Sequence, residues 1–179
     1  HVSGTVGPKK TLNAALALAD GAPNTVVTAL PGVYDEGEYV DPDGQRNRIG
    51  ILQPNLTLRS LGGKEVTHIV GAPDPVSGNV GNNAVRLTYL TGTAHGFVQG
   101  FVLRDGYVNT TSGQRQYVEG GSAIYATSSG TIPQVLDCVV SNCWAKRIPV
   151  AWYTTIRRTR IVDNHALGGC ASAGDDAGF

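Results

Sequence analysis

Carboxylates are the first side chains of this sequence to consider for catalysis. Two carboxylates that face one groove about 5–10 Å apart can hydrolyse a glycosidic bond. Asp137 and Asp163 occur in segments of similar sequence, but Asp163 aligns with Ser141, whereas Asp137 aligns with Gly100. We therefore expect these two aspartates at different corners of the fold, where they would make a poor catalytic pair.

A basic cluster near the end of the chain suggests a second chemistry. Arg157, Arg158 and Arg160 precede His165. In a polysaccharide lyase, carboxylates hold Ca²⁺ against the substrate, and an arginine or lysine with a lowered pKa removes a proton. Asp163 is the nearest carboxylate in the sequence, so we predict no metal site and no cofactor, and Ca²⁺ lacks support. Asp163, His165 and Arg158 remain candidates for catalysis.

Aromatic residues provide the candidate site for substrate binding. Tyr107 aligns with Trp144, and an insertion that begins at Tyr107 adds Arg115 and Tyr117 to the same flank. Stacked aromatic rings with nearby hydrogen-bond donors suit sugars, whose apolar C–H faces are edged by hydroxyls. The alternative is that Tyr107 and Trp144 simply pack beneath the inserted loop.

The composition indicates the elements that must position these residues. The 179 residues include 20 Val, 16 Thr and 8 Ile, whose branched side chains suit strands, together with 24 Gly and 9 Pro, which suit turns. Fourteen basic and fourteen acidic residues cancel, which argues against nucleic acid and anionic membranes as partners. The chain contains no apolar run of 18 residues, so we expect no membrane insertion in this segment.

One helix is predicted near the start of the chain. It would begin at the N-cap Thr11, place Leu12 and Leu16 on one face, and end before Gly21. A strand over Thr25–Leu30 follows it. Strands and polar turns are predicted for the rest of the chain.

Four similar segments predict a repeating fold. They are 55–60, 100–105, 137–142 and 159–164, and their second residues are Leu56, Phe101, Cys138 and Arg160. The separations of 45, 37 and 22 residues are explained by a coil of about 22 residues, if 45 residues are two coils and 37 residues include an insertion. A second family of strands is predicted at 66–70, 84–90, 122–126 and 149–153, and we expect Trp152 or Tyr153 of the last one in the core. A coil this short holds only strands and turns, so the sequence predicts a β-solenoid of parallel strands.

Alternation within the four segments predicts which side chains point inward. Leu56, Leu58, Phe101, Leu103, Cys138 and Val140 should be buried. Arg160 would then occupy an inward position, which indicates either a shift of register or a charged group at the end of the stack. The turn that follows each strand should stack polar side chains into a ladder formed by Ser60, Asp105, Asn142 and Asn164. His165, the next residue, aligns with Gly106 and Cys143.

Two sequence features resemble a known superfamily. The segment Thr11–Ala19, followed by Asn24–Tyr34 with its Pro-Gly-Val-Tyr turn, resembles the N-terminal cap of pectin-lyase-like proteins. Gly120–Tyr125 and Cys138–Asn142 resemble the repeats of bacterial polymorphic outer-membrane proteins. The resemblance implies an all-β, right-handed parallel β-helix with a short N-terminal capping helix. The superfamily includes polysaccharide lyases, glycoside hydrolases, esterases, phage tailspikes and adhesins, so the fold does not define an activity.

The same resemblance bears on the end of the chain. Gly174-Asp175-Asp176 resembles an element of polygalacturonase-like hydrolases in which paired aspartates activate water and protonate the leaving oxygen. The other motifs of those enzymes are absent from the sequence. Asp175 and Asp176 are thus either a polar turn or part of a catalytic site.

The expected protein is a single domain over residues 1–179. Residues 1–23 would form the cap and residues 24–179 the stacked coils, which we expect to continue beyond 179 in the natural chain. The expected function is a secreted or cell-surface module that recognises an extracellular polysaccharide, and any enzyme would be a polysaccharide lyase or a glycoside hydrolase. The alternative is a non-catalytic structural or adhesive stalk of a surface protein or filament. The open end of the solenoid would also allow self-association.

Overall fold

The computed structural model describes residues 7–19, 22, 24–91, 96–108, 120–127 and 132–168. This part of the chain contains one short helix, α1 (Leu12–Leu16), and seventeen short strands. The strands form three five-stranded sheets and one two-stranded sheet. The described chain is therefore all-β apart from α1, as the composition predicted.

Three sheets collect strands from successive parts of the chain. Sheet A contains β1 (Thr25–Ala29), β5 (Leu56–Ser60), β8 (Phe97–Gln99), β11 (Gln134–Leu136) and β15 (Thr155–Arg157). Sheet B contains β2 (Gly32–Tyr34), β6 (Thr67–Val70), β9 (Val102–Arg104), β12 (Val139–Ser141) and β16 (Arg160–Val162). Sheet C contains β3 (Tyr39–Val40), β4 (Arg46–Ile51), β7 (Val85–Leu90), β10 (Ile124–Ala126) and β14 (Ala151–Trp152), and sheet D contains β13 (Trp144–Ala145) and β17 (His165–Ala166).

Neighbouring strands of these sheets are parallel, except for the antiparallel pair β3 and β4. The chain enters sheet A, then sheet B, then sheet C, and returns to sheet A. One such passage is called a repeat below. Apart from β3 and β4, strands that follow each other in sequence therefore lie in different sheets, and neighbours within a sheet come from successive repeats.

The repeats are longer and less uniform than the sequence predicted. One register row of sheet A contains Val27, Leu58, Val98, Val135 and Ile156, so successive repeats differ by 31, 40, 37 and 21 residues. A length of about 22 residues describes only the last interval. The prediction that 45 residues correspond to two coils is wrong, because long connections lie between the strands of the earlier repeats.

The register also corrects the alignment of the first segment. Leu56 lies in sheet A opposite Thr25, whereas Phe101 lies just before β9 of sheet B, where Val139 donates a backbone hydrogen bond to its carbonyl over 2.9 Å. The sheet B strand of the earlier repeat is β6, which was predicted to belong with the strands of sheet C. Strands of sheets A and B have the same apolar alternation, so the sequence pattern alone does not distinguish them.

The last segment is shifted by one residue relative to the predicted alignment. Arg160 pairs with Val139, and Cys138 donates a backbone hydrogen bond to the hydroxyl of Thr159 over 3.2 Å. Arg160 therefore does not occupy the inward position, and its side chain is exposed. The unfavourable burial of a guanidinium is avoided by the register shift.

The predicted alternation of buried residues is confirmed. Side chains from sheets A, B and C form one core, which includes all six predicted residues: Leu56, Leu58, Phe101, Leu103, Cys138 and Val140. In the last described repeat, Ile156 and Ile161 are only half-buried, although Val135 and Val140 beneath them are fully buried.

Helix α1 covers the beginning of this core. The hydroxyl of Thr11 accepts a hydrogen bond from the backbone N–H of Ala14 over 3.3 Å, which confirms the predicted N-cap, and Leu12 and Leu16 are buried. The side chain of Asn13 donates to the carbonyl of Arg48 and accepts from the N–H of Gly50. The helix thereby satisfies backbone groups of β4 that no strand reaches. Gly21, the predicted C-terminal glycine, lies outside the described residues.

Candidate functional site

A polar row follows the strands of sheet B. Asp105, Asn142 and Asp163 occupy equivalent positions after β9, β12 and β16, and all three have left-handed backbone conformations with φ of 58°, 49° and 52°. Aspartate and asparagine tolerate this conformation better than most residues, which explains their presence at the turn. The amide of Asn142 donates to the carboxylate of Asp105 over 2.6 Å, so two members of the predicted ladder are in direct contact.

The other two predicted ladder residues lie elsewhere. Ser60 belongs to sheet A, where its hydroxyl oxygen lies 2.7 Å from that of Thr67. Asn164 is level with Cys143, one position further along than predicted, and accepts a hydrogen bond from its backbone N–H over 2.9 Å. Its amide group also donates to the carbonyl of Val140, so Asn164 still connects two repeats. The ladder prediction is therefore wrong for both residues: Ser60 lies in a different sheet, and Asn164 is shifted by one residue.

Three aromatic rings form a stack beside the polar row. The rings of Tyr107 and Trp144 are nearly parallel, at 3°, with centroids 6.4 Å apart, as the sequence predicted. His165 extends the stack, because its ring lies 4.0 Å from that of Trp144 at 25°. His165 therefore pairs with Trp144 in sheet D and not with the predicted partners Gly106 and Cys143. All three side chains are half-buried.

Hydrogen bonds hold Trp144 in this orientation. Its indole N–H donates to the amide oxygen of Asn142 over 3.0 Å, while the amide nitrogen of Asn142 donates to Asp105. Arg104 in turn donates to the other carboxylate oxygen of Asp105. Burial, and secondarily the nearby Asp105 carboxylate, raises the pKa of Tyr107. The stack and the polar row are thus one connected surface, which we call the aromatic flank.

The stacking limits how a ligand can approach the aromatic flank. At 4.0 Å, the ring of His165 covers one face of Trp144. The ring centroids of Tyr107 and Trp144 are 6.4 Å apart, less than the roughly 7–8 Å that a sugar ring in contact with both faces would need. A ligand would therefore contact the edges of the rings and the polar row, rather than either face of the Trp144 ring.

We expect Asn142→Ala to lower the free energy of unfolding by about 1–3 kcal/mol, because both Asp105 and the Trp144 indole lose a hydrogen-bond partner. Chemical denaturation measures the difference. Ser141→Ala, at the preceding residue, which ends β12, is the control. Equal stability of the two variants would remove the polar row as a source of stability.

The catalytic candidate Arg158 is bound by an aspartate. Its guanidinium donates to both carboxylate oxygens of Asp137, at 2.6 and 3.0 Å, and Gln99 donates to the same carboxylate. These hydrogen bonds lower the pKa of Asp137 to about 2, and the pair raises the pKa of Arg158. Because a lyase base requires a lowered pKa, this environment does not suit Arg158 to that role.

Those candidate carboxylates that the structure describes do not form a glycosidase pair. Asp137 precedes β12 and Asn142 follows it, so roughly 15 Å of strand separates the corner of Asp137 from the row that contains Asp163. Asp105 and Asp163 share that row, about 10 Å apart across two repeats, but Arg104 and Asn142 already bind the Asp105 carboxylate. Asp163 itself is exposed.

Four predicted site residues, Arg115, Tyr117, Asp175 and Asp176, lie outside the described residues.

Within the described ranges, no group of three histidine, cysteine, aspartate or glutamate side chains is arranged to hold a metal ion. No helix among the described residues is long and apolar enough to cross a membrane. Cys138 and Cys143 are buried thiols, and burial raises the pKa of Cys143 to about 12.

A second aromatic row, on sheet C, was not predicted. The ring of Tyr89 stacks on that of Tyr125, with centroids 6.0 Å apart, and lies 5.5 Å from the tilted ring of Tyr39. The buried guanidinium of Arg86 lies 4.5 Å from the centre of the Tyr125 ring. The tyrosines of β7 and β10 pair in register, so an alignment of these two strands could have revealed the row. Trp152 continues it opposite Tyr125.

The prediction that Trp152 or Tyr153 belongs to the core is wrong. Trp152 is half-buried and Tyr153 is exposed, because β14 ends at Trp152 and Tyr153 lies in the bend that follows it.

The aromatic flank remains the surface where rings, amides and carboxylates lie together, and it could bind a polar ligand with apolar edges. In comparisons with known proteins, no protein family, curated protein or solved structure matches the chain.

Proposed function

We propose that this chain is a right-handed parallel β-helix of the pectin-lyase-like type, and that it recognises an extracellular polysaccharide as a secreted or cell-surface module. Three sheets of mostly parallel strands, entered repeatedly in the same order, support the architecture. Helix α1, packed over the first strands, supports the role of a cap.

The aromatic flank carries the proposal for recognition. Tyr107, Trp144 and His165 are half-buried rings beside the hydrogen-bonding groups of Asp105 and Asn142. Sugars present apolar C–H groups next to hydroxyls, so they match a surface on which ring edges alternate with carboxylate and amide oxygens. The flank extends over three repeats, which suits a polymer better than a single sugar.

A non-catalytic structural or adhesive stalk is the second candidate function. One observation favours it: the rings of the aromatic flank contact each other, so the stack could serve only to stabilise the repeats. Lytic activity has less support, because Arg158 is bound by Asp137 and the carboxylates of the described residues are not paired for catalysis.

A glycan array with the wild-type protein tests recognition directly. We expect a polysaccharide to bind, and Trp144→Ala to weaken that binding at least tenfold by removing the central ring and its link to Asn142. The control is Ile156→Val, which should cost about 0.5–1.5 kcal/mol of stability without touching the flank.

Three outcomes would count against the proposal. Binding to a protein partner without any glycan would favour the stalk. Equal binding by wild type and Trp144→Ala would place recognition on another surface. Release of soluble oligosaccharide, or of an unsaturated uronate that absorbs ultraviolet light, would identify an enzyme.

A further inference from the structure

Tyr153 has a backbone conformation that its side chain disfavours. Eight residues other than glycine in the described chain have positive φ, and six of them are asparagine or aspartate. Tyr153, with φ of 48°, and Arg158, also with φ of 48°, are the two exceptions. A bulky residue in this region strains the backbone, and such strain persists only where something else favours the residue.

Contacts among the described residues account for Arg158 but not for Tyr153. Arg158 gains two hydrogen bonds to Asp137. Tyr153 is 49% exposed, and within the described part of the chain its ring contacts the edge of Trp152, at 5.3 Å and 86°. This contact orients the Tyr153 ring, yet leaves half of the side chain open to solvent.

Neutral hydrogen-bonding residues follow Tyr153 in the chain. Tyr153 begins the two-residue connection from β14 to β15, and the first residue of β15, Thr155, pairs with Gln134 of β11. Because Ile156 and Val135 point into the core, Thr155 and Gln134 point outward on the same face. An exposed ring that is followed in the chain by an outward-facing hydroxyl, with an outward-facing amide on the paired strand, suits the C–H face and the hydroxyls of a sugar.

We infer that Tyr153 is the face-on contact of a second saccharide site, formed with Trp152, Thr155 and Gln134, and that its strained conformation is retained for binding. This inference rests on the proposed function, since it assigns a further site for the same class of ligand. This site also provides an aromatic ring face that is open to a ligand. The aromatic flank lacks such a face, because the ring of His165 covers one face of Trp144.

The test separates binding from folding by replacing Tyr153 with glycine, which adopts positive φ without strain. Tyr153→Gly should raise the melting temperature by about 2–4 °C and weaken binding of the polysaccharide identified on the array at least tenfold. Tyr153→Phe should bind like the wild type, because it retains the ring. Asn55→Gly, another left-handed position, is the control for backbone change and should not alter binding.

Each outcome bears on a different statement. A lower melting temperature for Tyr153→Gly would show that the tyrosine is structural and overturn the inference. Unchanged binding by Tyr153→Gly, with binding lost in Trp144→Ala, would overturn the second site and leave the proposed function intact. A wild-type protein that binds no polysaccharide would overturn both.

Discussion

Phe101→Ala is expected to lower the free energy of unfolding by about 3–5 kcal/mol, because it empties a fully buried position in the middle of the core. Phe101 lies between sheets A and B, and the sulfur of Cys138 in the next repeat is 3.5 Å from its backbone nitrogen. The surrounding strands pair with neighbouring strands on both sides, so they cannot readily move inward to fill the cavity that the substitution leaves. Denaturation in urea measures the loss.

Phe97→Ala is the matched control for this substitution. Phe97 lies four residues earlier in the same repeat, but its side chain is half-buried on the outer face of sheet A. We expect it to cost about 1 kcal/mol. Similar losses for the two variants would contradict the assignment of Phe101 to the core and the register of sheet B.

Asp41→Ala is expected to cost about 3–5 kcal/mol, because it leaves the buried guanidinium of Arg86 without its carboxylate. Asp41 also accepts backbone hydrogen bonds from Asp43 and Gln45, which shape the turn before β4. Burial lowers the pKa of Arg86 to about 10 despite the opposing effect of Asp41, so the arginine remains charged at neutral pH. Thermal and urea denaturation of the purified variant measure the cost.

Two further variants distinguish the ion pair from the turn. Asp43→Ala changes an exposed carboxylate of the same turn and should alter stability by less than about 0.5 kcal/mol. Asp41→Ala combined with Arg86→Met should be more stable than Asp41→Ala alone, since no buried charge remains unpaired. A double variant no more stable than the single variant would show that the turn, rather than the charge, determines the loss.

Several features of the fold could be predicted because they depend on neighbouring residues. The N-cap at Thr11 needs only a hydroxyl three residues before a backbone N–H, and the structure has that bond. The inward positions of Leu103 and Val140 follow from the alternation of side chains along a strand. The stack of Tyr107 and Trp144 was predicted because both follow similar strands at the same distance.

The positions of Asn164 and Arg160 could not be predicted from local patterns. A slip of one residue changes which side chains face the core, and a single segment does not reveal its partner strand. The structure pairs Arg160 with Val139, which exposes the arginine and moves Asn164 beside Cys143. Polar residues at the end of a strand look alike in sequence, whichever repeat they contact.

By itself, the sequence determined the all-β composition, the capping helix, the alternation of buried residues and the pairing of Tyr107 with Trp144. Tertiary structure alone decided the lengths of the repeats and the assignment of Leu56 to sheet A and of Phe101 to the position before β9 of sheet B. It also decided that the ring of His165 stacks on that of Trp144. It also decided that Tyr153 is exposed with a left-handed backbone. The physical reason is that burial preferences act on each residue locally, whereas register is set by hydrogen bonds and side-chain packing between strands that are 21 to 40 residues apart in the chain.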